Sequence, residues 1–234
     1  MFPPDPNDVI HVEPGSWAGA DNGVPEFKKW NADPDNCVSP DRNSWGVITA
    51  TKNYVKTAKQ IAPNNSNVIQ AEKLLMNAQA SDYWYWDGSL NGIWDSHPTR
   101  ACNQAMQLIQ PIVAGAQDAT APTIWAPQRE HYNPGEKEWT LTKASDFTVW
   151  TFVHDVSGLQ SVTLKYRTDN DGINPLNSQQ NETYAGGNQV STWNSVNMTQ
   201  IYVAPGATNP LPLLKASQYE ASILNLSGVL IVIS

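Results

Sequence analysis

Residues 147–155 read FTVWTFVHD, from Phe147 to Asp155. β-Branched and aromatic residues dominate the run, as they do on pleated surfaces. Period two puts Phe147, Val149, Thr151 and Val153 on one face and Thr148, Trp150 and Phe152 on the other. The stretch is a strand by this pattern, but which face points inward cannot be read from it. Similar short runs surround it: TIWAP (123–127), EWTLT (138–142), SVTLKYRTD (161–169), TYAGG (183–187), VSTWNSVNMTQIYVAP (190–205) and YEASILNLSGVLIVIS (219–234). Turn-rich segments separate them, among them YNPGE, DVSGL, DNDGINPLNS and APGATNP. Regular short strands between Gly/Pro turns predict an antiparallel β-sandwich of immunoglobulin-like type.

Upstream of residue 120 the period changes to that of helices. The first is predicted from about Ser44 to Ile61, ahead of Pro63. The second starts with Ser66 as N-cap and runs to about Trp86, with Gly88 as its stop. The third opens near His97-Pro98, and Pro111 should kink it or end its regular part. Before them, residues 1–43 are rich in Pro, Asp, Asn and Gly and read as irregular chain. The expected organisation is an α+β chain of several parts. An irregular segment spans 1–43, a small three-helix bundle 44–118, and the sandwich 119–234.

Bulk composition narrows the function. The 234 residues carry a net charge of −8, with 14 Lys plus Arg against 22 Asp plus Glu. Phosphate backbones need a basic surface, so nucleic acid is not an expected partner. No run of 18 apolar residues exists and mean hydropathy is −0.44, so no membrane span is expected. The start, MFPPDPNDV, has no signal-peptide pattern. Charged residues are only 15%, replaced by Asn, Gln, Ser and Thr, and there are 10 Trp and 8 Tyr. That mixture is common in secreted carbohydrate-active proteins. Cys37 and Cys102 allow one disulfide at most, or two buried thiols, and no Cys/His cluster suggests zinc.

The densest aromatic stretch is ASDYWYWDG, Ala80 to Gly88. On a helix, Val68, Ala71, Leu75, Ala78, Asp82 and Tyr85 fall in one line, placing Asp82 in register with the apolar face. A carboxylate there needs a partner or an opening to a cleft. Three readings stay open. Asp82 pairs with a buried arginine such as Arg100 and the aromatics are core. Or the aromatics stack on a sugar while the carboxylate accepts from its hydroxyls. Or the cluster faces a protein or another domain.

The order EPGSWAGADNGVPEFKKW, NSW, AEKLLMNAQASDYWYWDG and HPTRAC resembles the region that follows the catalytic barrel in glycoside hydrolase family 57. That family includes α-amylases, amylopullulanases and branching enzymes acting on α-glucans. Gly15-Ser16-Trp17 resembles its post-barrel Ser-Trp motif. Gln79–Trp84 resembles a helical segment that reaches over the barrel and helps line the substrate cleft. The resemblance implies that Trp17, Asp82 and Trp84 face substrate, and it draws in Ser81, Trp86 and Asp87 from the same stretch. APTIWAPQREHYNPGE, SGLQSVTLKYRTDNDG and NETYAGG resemble a β-sandwich attached behind the helices in some bacterial relatives. The family's catalytic Glu and Asp sit on an incomplete barrel, and no alternating β-α pattern is present here. The resemblance therefore implies the non-catalytic C-terminal part of such an enzyme, from a secreted or periplasmic parent. Its expected partners are an α-glucan and a separate catalytic barrel. Glu13, Asp21, Asp82 and Asp87 are acids of the right type, and none is assigned catalysis.

Other motifs say less. Asp169-Asn170-Asp171-Gly172 alternates oxygen ligands before a glycine, so Asp169 and Asp171 are candidates for calcium, and the same letters make an ordinary turn. No other cofactor is expected. His11, His97, His131 and His154 show no metal spacing, although Asp155 could orient His154. Trp125, Trp139, Trp150 and Trp193 build a core if they face inward and a glucan platform if they face outward. The apolar end, SGVLIVIS, leads to the expectation of a shortened sandwich whose last strand, or whose exposed aromatics, could pair two copies. Two rivals remain: a stand-alone carbohydrate-binding module, and an interaction fragment with no ligand of its own.

Overall fold

The computed structural model describes residues 40–80, 83, 96–130, 134–135, 137–138, 141–169, 190–203, 209–224 and 230–233. Three helices come first: α1 (Pro40–Ile61), α2 (Ser66–Ala78) and α3 (Ser96–Val113). Ten strands follow. They are β1 (Thr123–Ile124), β2 (Gln128–Glu130), β3 (Lys137–Glu138), β4 (Leu141–Thr142), β5 (Phe147–His154), β6 (Thr163–Asp169), β7 (Asn194–Asn197), β8 (Thr199–Ile201), β9 (Ser217–Ile223) and β10 (Leu230–Ile233). The fold is α+β: three packed helices, then antiparallel sheets.

α1 begins at Pro40, earlier than its expected start, because proline suits a first helical turn. α2 is capped by Asn65, not Ser66: its side chain accepts from the Asn67 amide at 2.8 Å. It ends at Ala78 with Gln79 as C-cap, short of the expected Trp86. α3 carries Pro111 inside its last turn and stops at Val113. Gly115, at φ 75°, follows in the left-handed conformation that glycine allows.

The strands divide among three sheets. β1, β5, β9 and β8 lie in that order, with β2 also pairing β5. β10, β6 and β7 form a second sheet, and β3 pairs β4 in a small hairpin. EWTLT, read as one strand, is therefore split between two strands: Glu138 pairs with Leu141. VSTWNSVNMTQIYVAP is also split. Its first half pairs β6, its second half pairs β9, and Met198 sits at the crossing with its amide bonded to Val162. One continuous run of sequence thus serves two sheets. TYAGG lies outside the described residues.

FTVWTFVHD becomes β5, and both its faces are buried. Phe147 and Val149 join Ala221 and Ile223 of β9 against Leu164, Tyr166 and Val196 of the second sheet. Trp150 and Phe152, on the opposite face, pack with Ala50 and Trp45 of α1. β5 is therefore the central layer, with the second sheet on one side and α1 on the other. The remaining helical surface, with Val47, Val55, Val68, Leu75, Met106 and Ile109, forms a third cluster among the three helices.

α1 carries a different stripe toward each neighbour. Val47, Thr51, Val55 and Ala58 face the helices, while Gly46, Ala50, Asn53 and Thr57 recur at spacings of four, three and four and face the sheet. Small residues on that second stripe permit close approach. A Cβ on Gly46 would stand 3.1 Å from a ring carbon of Phe152, and the Gly46 carbonyl accepts from the Ala216 amide at 3.0 Å. Asn53, fully buried, donates to the Ala121 carbonyl at 3.3 Å and accepts from the Val156 amide at 2.8 Å. It thereby ties the helix to the chain entering β1 and leaving β5. Thr51 lies against Cys102, a free thiol fully buried among the helices. Burial pushes that thiol up to about 12, against a lowering hydrogen bond with Thr51. Cys102 is thus a buried free thiol, and Cys37 lies outside the described residues.

Two outcomes test this packing. Asn53→Ala strands the Val156 amide and should destabilise by about 2–3 kcal/mol, read from denaturant midpoints. An unchanged midpoint would refute the clamp. In a Cys37→Ser background, Cys102 should resist a thiol reagent in the native protein and react fully in guanidinium.

Candidate functional site

Most residues singled out by the resemblance, namely Trp17, Ser81, Asp82, Trp84, Trp86 and Asp87, lie outside the described residues. Tyr83, from the same stretch, is described. Half-buried, it packs on the helical core, and its ring stacks on His97 with centroids 5.2 Å apart. Arg100 is exposed and donates to the Asn209 carbonyl at 3.4 Å, so it is not the buried arginine that the core reading of Asp82 invoked. Asp169 ends β6 opposite Leu230, and Asp171, the other calcium candidate, lies outside the described residues.

The described aromatics gather at three places. The first is the helix–sheet junction. Trp125 stacks on Trp150 at 5.2 Å and meets Trp45 at 5.6 Å, while Phe152 meets Trp150 edge-on at 5.8 Å. Arg42 covers the Trp150 ring at 4.1 Å and reaches Glu130 at 3.4 Å. Trp150 and Phe152 are buried, so this group is core and Trp150 offers no surface to a ligand.

The second is a cleft of about 560 Å³ where the end of α3 meets the end of β5. Tyr54, Gln110, Pro111, Gly115 and Val156 help line it. Tyr54 stacks on His154 at 5.8 Å. Burial lowers the His154 pKa from its ordinary 6.5, and the Asp155 charge opposes this only in part. Asp155 itself accepts from the Ser157 amide at 2.8 Å, so it is occupied by its own turn and not arranged as the orienter of a catalytic histidine. Nearby, Asp118 accepts from the Thr120 amide at 2.9 Å, the Thr120 hydroxyl at 2.8 Å and the Thr57 hydroxyl at 3.2 Å. Burial alone would raise its pKa. The bonds from Thr120 and Thr57 outweigh that and leave it below 3.8. Retaining glycoside hydrolysis needs carboxyl groups about 5 Å apart with space between them. Asp118 and Asp155 are instead each capped by hydroxyls, an arrangement that joins helix to strand.

The third place is the outer face of the second sheet. Leu164, Tyr166 and Val196 point into the core, so Thr163, Lys165 and Arg167 of β6, and Ser195 and Asn197 of β7, face out. Trp193 leads into β7 on that same side, 45% exposed, with the Arg167 guanidinium 4.7 Å from its ring centre. Among the described tryptophans it is the one that faces solvent. The sequence marked Trp193 as inward or outward without deciding, because the strand breaks at Met198 and its neighbours cannot be paired by pattern.

Among the described residues no group of three or more His, Cys, Asp or Glu could hold a metal ion, and no helix is long and apolar enough to cross a membrane. The chain is 33% identical over 107 residues to an alpha-amylase of Niallia circulans; the match covers 42% of this chain and 8% of the amylase. The chain thus matches only a small part of that protein's length. No family model matches the chain, and no solved structure does.

The acid side of the stability curve tests the electrostatics. His154 has a depressed pKa in the folded chain, so the unfolded state binds its proton first, and stability should fall as pH drops below 6.5. Asp118 is also depressed, so its contribution is full above 3.8 and is lost below it. His154→Gln should remove the upper step and Asp118→Asn the lower, in denaturant melts run across pH. A profile that neither variant changes would refute both assignments.

Proposed function

We propose that this chain is an accessory, non-catalytic part of a glycoside hydrolase that acts on α-glucan. The observation that carries the reading is the local identity with an alpha-amylase over 107 residues. The motif resemblance refines it to a family 57-like enzyme. In that reading, residues 1–43 leave a catalytic barrel, the helical part (44–118) lines the glucan cleft, and residues 119–234 form an immunoglobulin-like sandwich that supports or binds polysaccharide. Trp17, Ser81, Asp82, Trp84, Trp86 and Asp87 are the residues proposed to face the cleft, and the parent enzyme is secreted or periplasmic. Two sheets sharing one apolar cluster across β5 and β6 are consistent with a sandwich. A helical part packed tightly on a sheet also suits a rigid support for a separate catalytic body.

Isothermal titration with α-1,4-linked glucose oligomers, run beside a reducing-sugar assay, tests this. The expected result is saturable binding without release of sugar. Release that survives both Asp82→Ala and Trp84→Ala would overturn the non-catalytic reading. A folded chain that binds no glucan, with or without added parent barrel, would overturn the accessory role.

A further inference from the structure

We propose that the outer face of β6 and β7 is a glucan-binding platform centred on Trp193. The inference rests on the accessory reading above and assigns the binding to a surface well away from ASDYWYWDG in sequence. Its basis is the arrangement of six side chains. In register, Ser195 lies opposite Lys165 and Asn197 opposite Thr163, and Trp193 continues the row opposite Arg167. The strip spans four residue steps along β6, about 13 Å at strand rise. It presents one flat aromatic surface followed by hydroxyl, amide and ammonium groups. A pyranose chain needs that combination: an apolar ring for its CH face, and donors and acceptors for its hydroxyls.

The platform is preorganised. Arg167 lies over one side of the indole, and the residue is 45% exposed. The chain just before Trp193 is pinned to β6, since the Ser191 amide donates to the Thr168 carbonyl at 2.8 Å and the Thr168 amide donates to the Ser191 hydroxyl at 2.9 Å. Beneath the strip, Leu164 and Val196 anchor both strands in the core. An exposed tryptophan so held loses little freedom on binding, which favours affinity. Lys165 and Arg167 stand in this strip, on a chain with net charge −8. These can donate to sugar oxygens, and a neutral glucan would be held without dependence on salt.

The test titrates the full chain with maltoheptaose. Trp193→Ala should weaken binding at least about tenfold, as loss of a central aromatic contact does. Its denaturant midpoint should stay near that of the parent, because the ring is exposed. Trp193→Phe should recover part of the affinity. Met76→Ala, at an exposed position on α2, should leave this binding in place. Full binding in Trp193→Ala, with loss in Asp82→Ala or Trp84→Ala, would overturn the platform and keep the accessory reading. No binding of maltoheptaose or longer glucan by the folded chain would overturn both. Binding that disappears when salt screens surface charge would also overturn the platform, since it would mark an acidic ligand. So would a Trp193→Ala variant whose only change is from dimer to monomer, since it would mark a self-association surface.

Discussion

The structure depends on one helix meeting two cores at once. α1 has to pack against α2 and α3 on one side and against β5 on the other. It does so with two stripes of different character. The helix-facing stripe is apolar and gains by burial. The sheet-facing stripe, Gly46, Ala50, Asn53 and Thr57, gains by proximity. Its small side chains bring backbone against aromatic rings, and its polar atoms satisfy the ends of neighbouring strands. A bulky residue at Gly46 would collide with Phe152, and an apolar one at Asn53 would leave a buried amide without a partner.

That arrangement explains why so many polar residues on α1 are buried. Arg42, Asn43, Thr49, Thr51, Asn53 and Thr57 all lie inside, where isolated polar groups are costly. Many of them are satisfied within or across elements: Thr49 and Thr51 bond back to the carbonyls of Trp45 and Val47, and Asn43 accepts from Lys215 at 2.7 Å. The segment before β9 is held in a similar way. Asn103 of α3 donates to the Leu211 carbonyl at 2.9 Å and accepts from the Leu213 amide at 2.8 Å, offering the chain a strand-like partner from a helix. Helices and first sheet are consequently joined by hydrogen bonds as well as by rings, and they form a stiff base beneath the outer sheet.

The two surfaces proposed above to meet glucan differ in what supports them. ASDYWYWDG draws on a motif resemblance, with Tyr83 as its one described contact to the core. The β6–β7 face draws on register and exposure. A chain that belongs to a larger hydrolase could use both, one near the bond that is cut and one farther along the polymer. The effective concentration of polymer at the first would then rise through the second.

The sequence by itself determined the element types: three helices from 3.6-residue periodicity and proline stops, then short strands between turns, because local periodicity records which side of each element is buried. It also marked ASDYWYWDG as the densest aromatic stretch. It did not decide partners. EWTLT reads as one strand and folds as a hairpin, and VSTWNSVNMTQIYVAP reads as one strand and serves two sheets, because register depends on which residues arrive opposite. FTVWTFVHD could not show an inward face because it has two, one closed by α1 and one by β6 and β7. Whether Trp150 is core and Trp193 is surface was likewise decided only by tertiary structure. Both are tryptophans in strand-like text, and only the layer that covers one and leaves the other open tells them apart.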